Sequence, residues 1–193
     1  MQTETEKKRI GIVGYYGASP LMTAANLEKM ADECLEIIVQ DFGLKLSDCV
    51  LVANGATWAN HVPLVLRNRH PEDVTIEFVM GARWDHTHRR FQKRGMGQSL
   101  NQSHYLMKQR LAIPLSFATL KDIAAAVEAG AEIKFEDSAA TRNNTIRGLC
   151  DYLIYMPLEE DDDNNLSRFG GGIFNGIRQS SRKRLVCLKD ILE

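Results

Sequence analysis

The chain has no apolar run approaching the ~20 residues that cross a bilayer, so no membrane span is expected. Its first residues, Met1 to Lys8, are polar and lack the apolar core of a secretory signal. Cysteine is sparse: Cys34, Cys49, Cys150 and Cys187 are scattered without metal-ligand spacing. Three of the four lie in apolar segments, the pattern of buried thiols in a reducing compartment rather than of a disulfide framework. An excess of charge of one sign is also missing. Lys and Arg number 24 against 25 Asp and Glu, a net charge of -1, so nothing global points to nucleic acid or to a membrane surface. These absences describe a cytoplasmic protein with no metal and no cofactor called for.

What is present is enough for a packed core. The chain has 193 residues, 44% of them hydrophobic and 25% charged, which fits one globular domain spanning 1–193. Arg9-Ile-Gly-Ile-Val13 is a β-branched run suited to a first strand. It ends in Gly14-Tyr-Tyr-Gly-Ala-Ser19, whose two glycines allow a tight turn. Ser19-Pro20 reads as an N-cap followed by proline at N1. Apolar residues from Leu21 to Phe42 then recur at helical spacing, and Gly43 stops the helix. The next unit repeats the pattern. Cys49 to Ala53 is a continuous apolar run, as in a strand buried on both faces. Asn54-Gly55-Ala56-Thr57 forms the turn, Trp58 to Leu66 is helical, and Val74 to Val79 is a third strand.

From Gly81 to about residue 110 the character changes. Arg83, Arg89, Arg90, Lys93, Arg94 and Lys108 are interleaved with Trp84, Phe91 and Tyr105. Such an insertion is either a flap anchored by its aromatics or a surface that grips phosphates while its rings stack on bases. The flap is the slightly better reading. His86 and His88 have no cysteine or carboxylate framework around them that would argue for a metal.

The last third resumes the alternation. Leu120 to Val127 is helical and closes at Gly130, Ala131 to Phe135 alternates like a strand, and Ala139 to Leu149 is helical with Ile146 and Leu149 inward. Arg142 and Asn143 therefore sit near a helix start beside a strand end. Asn143 and Asn144 are poor helix formers, so their clustering needs a reason. Asp151 to Tyr155 is a buried strand, 159 to 165 is an acidic loop, and Gly170-Gly-Gly-Ile-Phe-Asn-Gly176 reads as a glycine turn opening a helix before a last strand, Arg184 to Leu188. The fold class is α/β, a three-layer Rossmann-like fold with a mostly parallel central sheet of at least five strands. In such sheets ligands sit outside the carboxyl ends of the strands, and bare backbone N–H groups at a helix start form an anion site.

Taken in order, Gly14 to Ser19, Asn54 to Trp58, Arg142-Asn143 ahead of Asp151-Tyr-Leu-Ile154, and Gly170 to Phe174 resemble the SLOG superfamily. That superfamily groups Smf/DprA DNA-processing proteins, LOG-type cytokinin-activating phosphoribohydrolases and nucleotide-binding relatives. The resemblance covers nearly the whole chain and implies a Rossmann-like sheet holding a nucleotide or a nucleotide-derived ligand. By position, Gly14, Tyr15, Tyr16, Gly17, Ser19, Asn54, Gly55, Ala56, Arg142, Asn143, Gly170, Gly171, Gly172, Phe174 and Asn175 would line the site. Arg142 would be a bidentate partner of phosphate or carboxylate.

The glycine turn departs from LOG-type enzymes, which carry Pro-Gly-Gly-x-Gly-Thr followed by a glutamate. Here the threonine and that glutamate are missing. Glycosidic hydrolysis needs a carboxylate, and Glu136 and Asp137 are the acids to nominate. Binding or sensing of a nucleotide thus ranks first and an N-glycosidic-bond hydrolase or transferase second. Single-stranded nucleic-acid binding of the DprA kind through 83–110 ranks third. A homo-oligomer is compatible with all of them.

Overall fold

A computed structural model describes residues 6–14, 19–21, 23–56, 58–92, 119–158 and 182–192. The strands are β1 (Lys8–Gly14), β2 (Cys49–Ala53), β3 (Thr75–Met80), β4 (Arg83–Asp85), β5 (Arg90–Gln92), β6 (Glu132–Phe135), β7 (Tyr152–Met156) and β8 (Lys183–Leu185). The helices are α1 (Ala24–Glu36), α2 (Val62–Arg69), α3 (Thr119–Glu128), α4 (Ala139–Leu149) and α5 (Leu188–Leu192). Six strands form one sheet in the order β6-β3-β2-β1-β7-β8, and every neighbouring pair in it is parallel. β4 and β5 form a separate antiparallel hairpin.

The strands are apolar on both faces because both are covered. Ile10, Ile12, Leu51, Ala53, Ile76, Phe78, Met80, Ile154 and Met156 join residues of α1, α2, α3 and α5 in the larger core cluster. The alternate positions Val13, Val52, Val79, Leu153 and Tyr155 pack with Ile146 of α4. Handedness explains this division. From β1 to β6 the chain steps across the sheet in one direction, and right-handed crossovers keep α1, α2 and α3 on one face. The next crossover carries it back past β1 to β7, and the same handedness puts α4 on the opposite face.

Glycine permits this return. A Cβ on Gly14 would lie 2.2 Å from the Met156 carbonyl oxygen, and one on Gly11 would lie 2.7 Å from Leu153 Cδ1 and 3.1 Å from Cys150 Sγ. At the opposite edge of the sheet Asp151 clamps the same two strands. Its carboxylate accepts from the Arg9 N–H at 3.0 Å and its own N–H donates to the Arg9 carbonyl at 2.9 Å. The Arg9 side chain reaches Glu77 on β3 at 3.3 Å, so the buried Glu77 side chain has a cation beside it.

Local chemistry moved some boundaries. α1 begins at Ala24, with Thr23 as N-cap accepting from the Asn26 N–H at 3.1 Å, whereas Ser19 caps only a turn, accepting from the Leu21 N–H at 3.3 Å. Past Glu36 the helix widens into a π-turn, Ile37–Asp41, and Gly43, at φ +65°, ends it. The stretch expected to be helical from Trp58 divides into a 3-10 turn, Trp58–His61, and α2, with Pro63 in the first turn of α2. Leu188, expected in the last strand, opens α5 instead. The anticipated glycine turn at 170–176 lies outside the described residues.

Two glycine substitutions should move stability in opposite directions. Gly14→Ala forces a methyl group into the β7 backbone and is expected to destabilise by about 1–3 kcal/mol. Gly148→Ala, where a Cβ meets nothing within 4 Å on α4, should stabilise by about 0.4–1 kcal/mol. Urea unfolding of both variants checks this, and shifts of the same sign would contradict the packing described.

Candidate functional site at the carboxyl edge

Because all six strands run the same way, the segments that leave them emerge at one edge. Along it lie Glu136 and Asp137 after β6, Gly81 and Ala82 after β3, Asn54 to Ala56 after β2, Gly14 closing β1, and Pro157 after β7. The strand order reverses between β1 and β7, the place where open α/β sheets part their loops to form a crevice. Gly14 and Met156 are register partners there, so the two strands end together. Gly14 is thus glycine because the β7 backbone leaves no room for a side chain, whatever lies above it.

The turn after β2 is built by its own residues. Asn54 Oδ1 accepts from the Ala56 N–H at 2.9 Å, an Asx turn. Gly55, at φ +69°, sits in left-handed backbone with Met80 packed against the position a Cβ would take. Trp58 follows at φ +56° and is buried, an arrangement costly for a large side chain and held by the surrounding core. No sequence signal distinguishes Trp58 from an ordinary helical residue.

α4 starts at the same edge. Ser138 caps it, its hydroxyl accepting from the Thr141 N–H at 3.1 Å while the Thr141 hydroxyl accepts from the Ser138 N–H at 3.2 Å. Arg142, whose N–H donates to the Ser138 carbonyl at 3.1 Å, is half-buried in the next turn, beside the half-buried Asn143. Thr145, one turn further on, donates to Glu136 Oε1 at 2.8 Å and so holds that carboxylate against the helix. Asp137 is exposed. β6 is three strands from β1, roughly 14 Å at the ~4.8 Å strand spacing. The acids nominated for hydrolysis therefore leave the sheet to one side of the junction of β1 and β7. Tyr15, Tyr16, Gly17, Gly170, Gly171, Gly172, Phe174 and Asn175 lie outside the described residues.

The basic-aromatic insertion begins with the β4–β5 hairpin. Asp85 organises its turn, accepting from the backbone N–H groups of Thr87 and His88 at 3.0 and 3.1 Å and from the Gln92 side chain at 3.1 Å, with His88 Nδ1 at 2.8 Å. The Trp84 and Phe91 rings meet edge to face at 4.9 Å and pack on the core. Arg83 lies 4.6 Å over the Phe135 ring. Arg89 forms a forked ion pair with Glu128, its Nε 2.6 Å from Oε1. Two of the cations proposed to track nucleic acid are thereby engaged within the protein. Asp85 was legible in principle, since an aspartate two residues before a turn N–H is an Asx signal.

Cys34, Cys49 and Cys150 lack the lowered pKa of a nucleophile. Burial pushes the Cys34 and Cys150 thiols well above their ordinary value and Cys49 up to about 11. Among the described residues no helix is long and apolar enough to cross a membrane.

The hydrogen bonds to Asp85, that from His88 foremost, hold its carboxyl well below the usual carboxylate range. A depressed folded pKa contributes stability above the unfolded value of roughly 3.9 that is lost as pH falls through the folded one. The hairpin should therefore keep its Trp84 environment through pH 4 and lose it only in stronger acid. Asp85→Asn should remove that acid transition. Carbon NMR titration of the Asp85 carboxyl checks this, and a midpoint inside the ordinary range would contradict it.

Compared with models of known families the chain matches none, and comparison with curated proteins finds no match. Its function must be argued from the edge itself.

Proposed function

We propose that this protein binds or senses a nucleotide or nucleotide-derived ligand in the crevice over β1 and β7. The observation that carries the reading is the reversal of strand order at Gly14, where an open parallel sheet separates its loops and makes room for a ligand. The SLOG resemblance supports it through the residues that follow β1, the turn at Asn54 and the pair Arg142-Asn143. Gly170 to Gly172 would donate backbone N–H groups to an anionic group, and Arg142 would add a charge with fork geometry.

Binding is favoured over hydrolysis. Glu136 is engaged by Thr145, and Asp137 is exposed. Nothing in the described part of the edge replaces the glutamate of LOG-type enzymes. Incubation with nucleoside monophosphates should release neither base nor ribose phosphate. Base release lost in Glu136→Gln or Asp137→Asn would reverse the ranking.

Calorimetric titration against a nucleotide panel tests the site. Arg142→Ala should weaken binding by about 1.5–3 kcal/mol, the scale of a charged hydrogen bond, and Arg142→Lys should restore part of it. Gly171→Val should weaken binding far more than it lowers the melting temperature. Unchanged affinity in a folded Arg142→Ala protein would sink the assignment.

A further inference from the structure

β6 is the edge strand of the main sheet, and among the described residues no strand pairs with its outer side. Its four residues, Glu132-Ile-Lys-Phe135, alternate exposed and half-buried, so Glu132 and Lys134 share the solvent face. Residues opposite each other in a ladder must share a face, which restricts how such a strand meets a copy of itself. An antiparallel register centred on Ile133 meets this condition. It sets Ile133 against Ile133 of the second copy, Glu132 against Lys134 of the second copy, and Lys134 against Glu132 of the second copy. Both cross-strand charge pairs are then opposite in sign, the favourable combination.

Natural sheets cover or blunt such edges, and here the hairpin stands beside this one. At its base Arg83 lies 4.6 Å over the ring of Phe135, the last residue of β6. At its tip Arg89 is paired with Glu128, the last residue of α3, just ahead of β6. The hairpin thus reaches both ends of the edge strand without entering its ladder. Its tip is tied by a solvent-facing contact, the Arg89 side chain being 72% exposed, and Arg89 itself occupies left-handed backbone at φ +49°.

We infer that the hairpin is a detachable guard, latched by Arg89–Glu128, over an edge built to pair antiparallel with β6 of a second copy of this chain. Releasing the latch frees the edge and favours the dimer. Closing it favours the form described here.

Sedimentation over a concentration series, with acrylamide quenching of Trp84 as the reporter of hairpin release, tests both halves. Arg89→Glu and Glu128→Arg should each raise quenching and shift the protein toward twice the wild-type sedimenting mass, and the two changes together should reverse both effects. In the Arg89→Glu background, Lys134→Glu sets like charges opposite one another and should return the mass to that of the wild type. Adding Glu132→Lys restores opposite signs and should restore the dimer. Unchanged Trp84 quenching in Arg89→Glu would overturn the latch. A released hairpin without mass doubling, or a dimer indifferent to Lys134→Glu, would overturn the pairing edge.

Discussion

No side chain fits between the end of β1 and the backbone of β7, and the rest of the molecule is arranged around that close approach. Glycine at 14 lets the two strands finish together, and glycine at 11 lets Leu153, Cys150 and Ile146 close over β1 from the other face. The chain can therefore turn back from the β6 edge and insert β7 beside its own first strand. That return separates the two helical layers and creates the reversal of strand order. Asp151, bound to both backbone groups of Arg9, fixes the register of the same pair from the far edge. The Arg142-to-Ile154 stretch that carries the resemblance thus contains a structural clamp as well as a candidate ligand contact.

Among the described residues the loops at the carboxyl edge are polar, and the acids that follow a strand of the main sheet there are Glu136 and Asp137. Asn54 commits its oxygen to its own turn, Thr145 engages Glu136, and burial raises the thiols of Cys34, Cys49 and Cys150. The hairpin that follows β3 stands beside β6. Arg89 engages Glu128 and Arg83 lies over the Phe135 ring, which places both along the outer strand.

Most of the scaffold was legible because its signals are local and repeated. Continuous apolar runs such as Cys49 to Ala53 mark strands covered on both faces. Gly43 and Gly130 mark helix ends because only glycine enters left-handed backbone cheaply. Errors arose where tertiary contacts outweighed local preference. Ser19-Pro20 is a sound cap, yet Thr23 starts the helix, and Leu188 looks like strand until the Pro157 carbonyl accepts its N–H. The division of Trp58 to Leu66 depends on a left-handed tryptophan that no propensity scale marks. The hairpin carries little sequence signal because its strands are only three residues each and its turn is set by the single Asp85. Within the site, the residues at strand ends were placed by counting strands. The distance of Glu136 and Asp137 from β1 depends on strand order, which periodicity does not encode.

The central claim is that ligand occupies the crevice where strand order reverses. Hydrogen exchange with and without a panel of nucleoside mono- and diphosphates tests it most directly, because it needs no variant and reads the whole chain. The account predicts that at least one nucleotide slows exchange in peptides spanning the ends of β1 and β7, around residues 12–21 and 155–158, and leaves the amino edge near Asp151 unchanged. Protection confined to the hairpin or to the amino edge, or no response to any nucleotide, would contradict it.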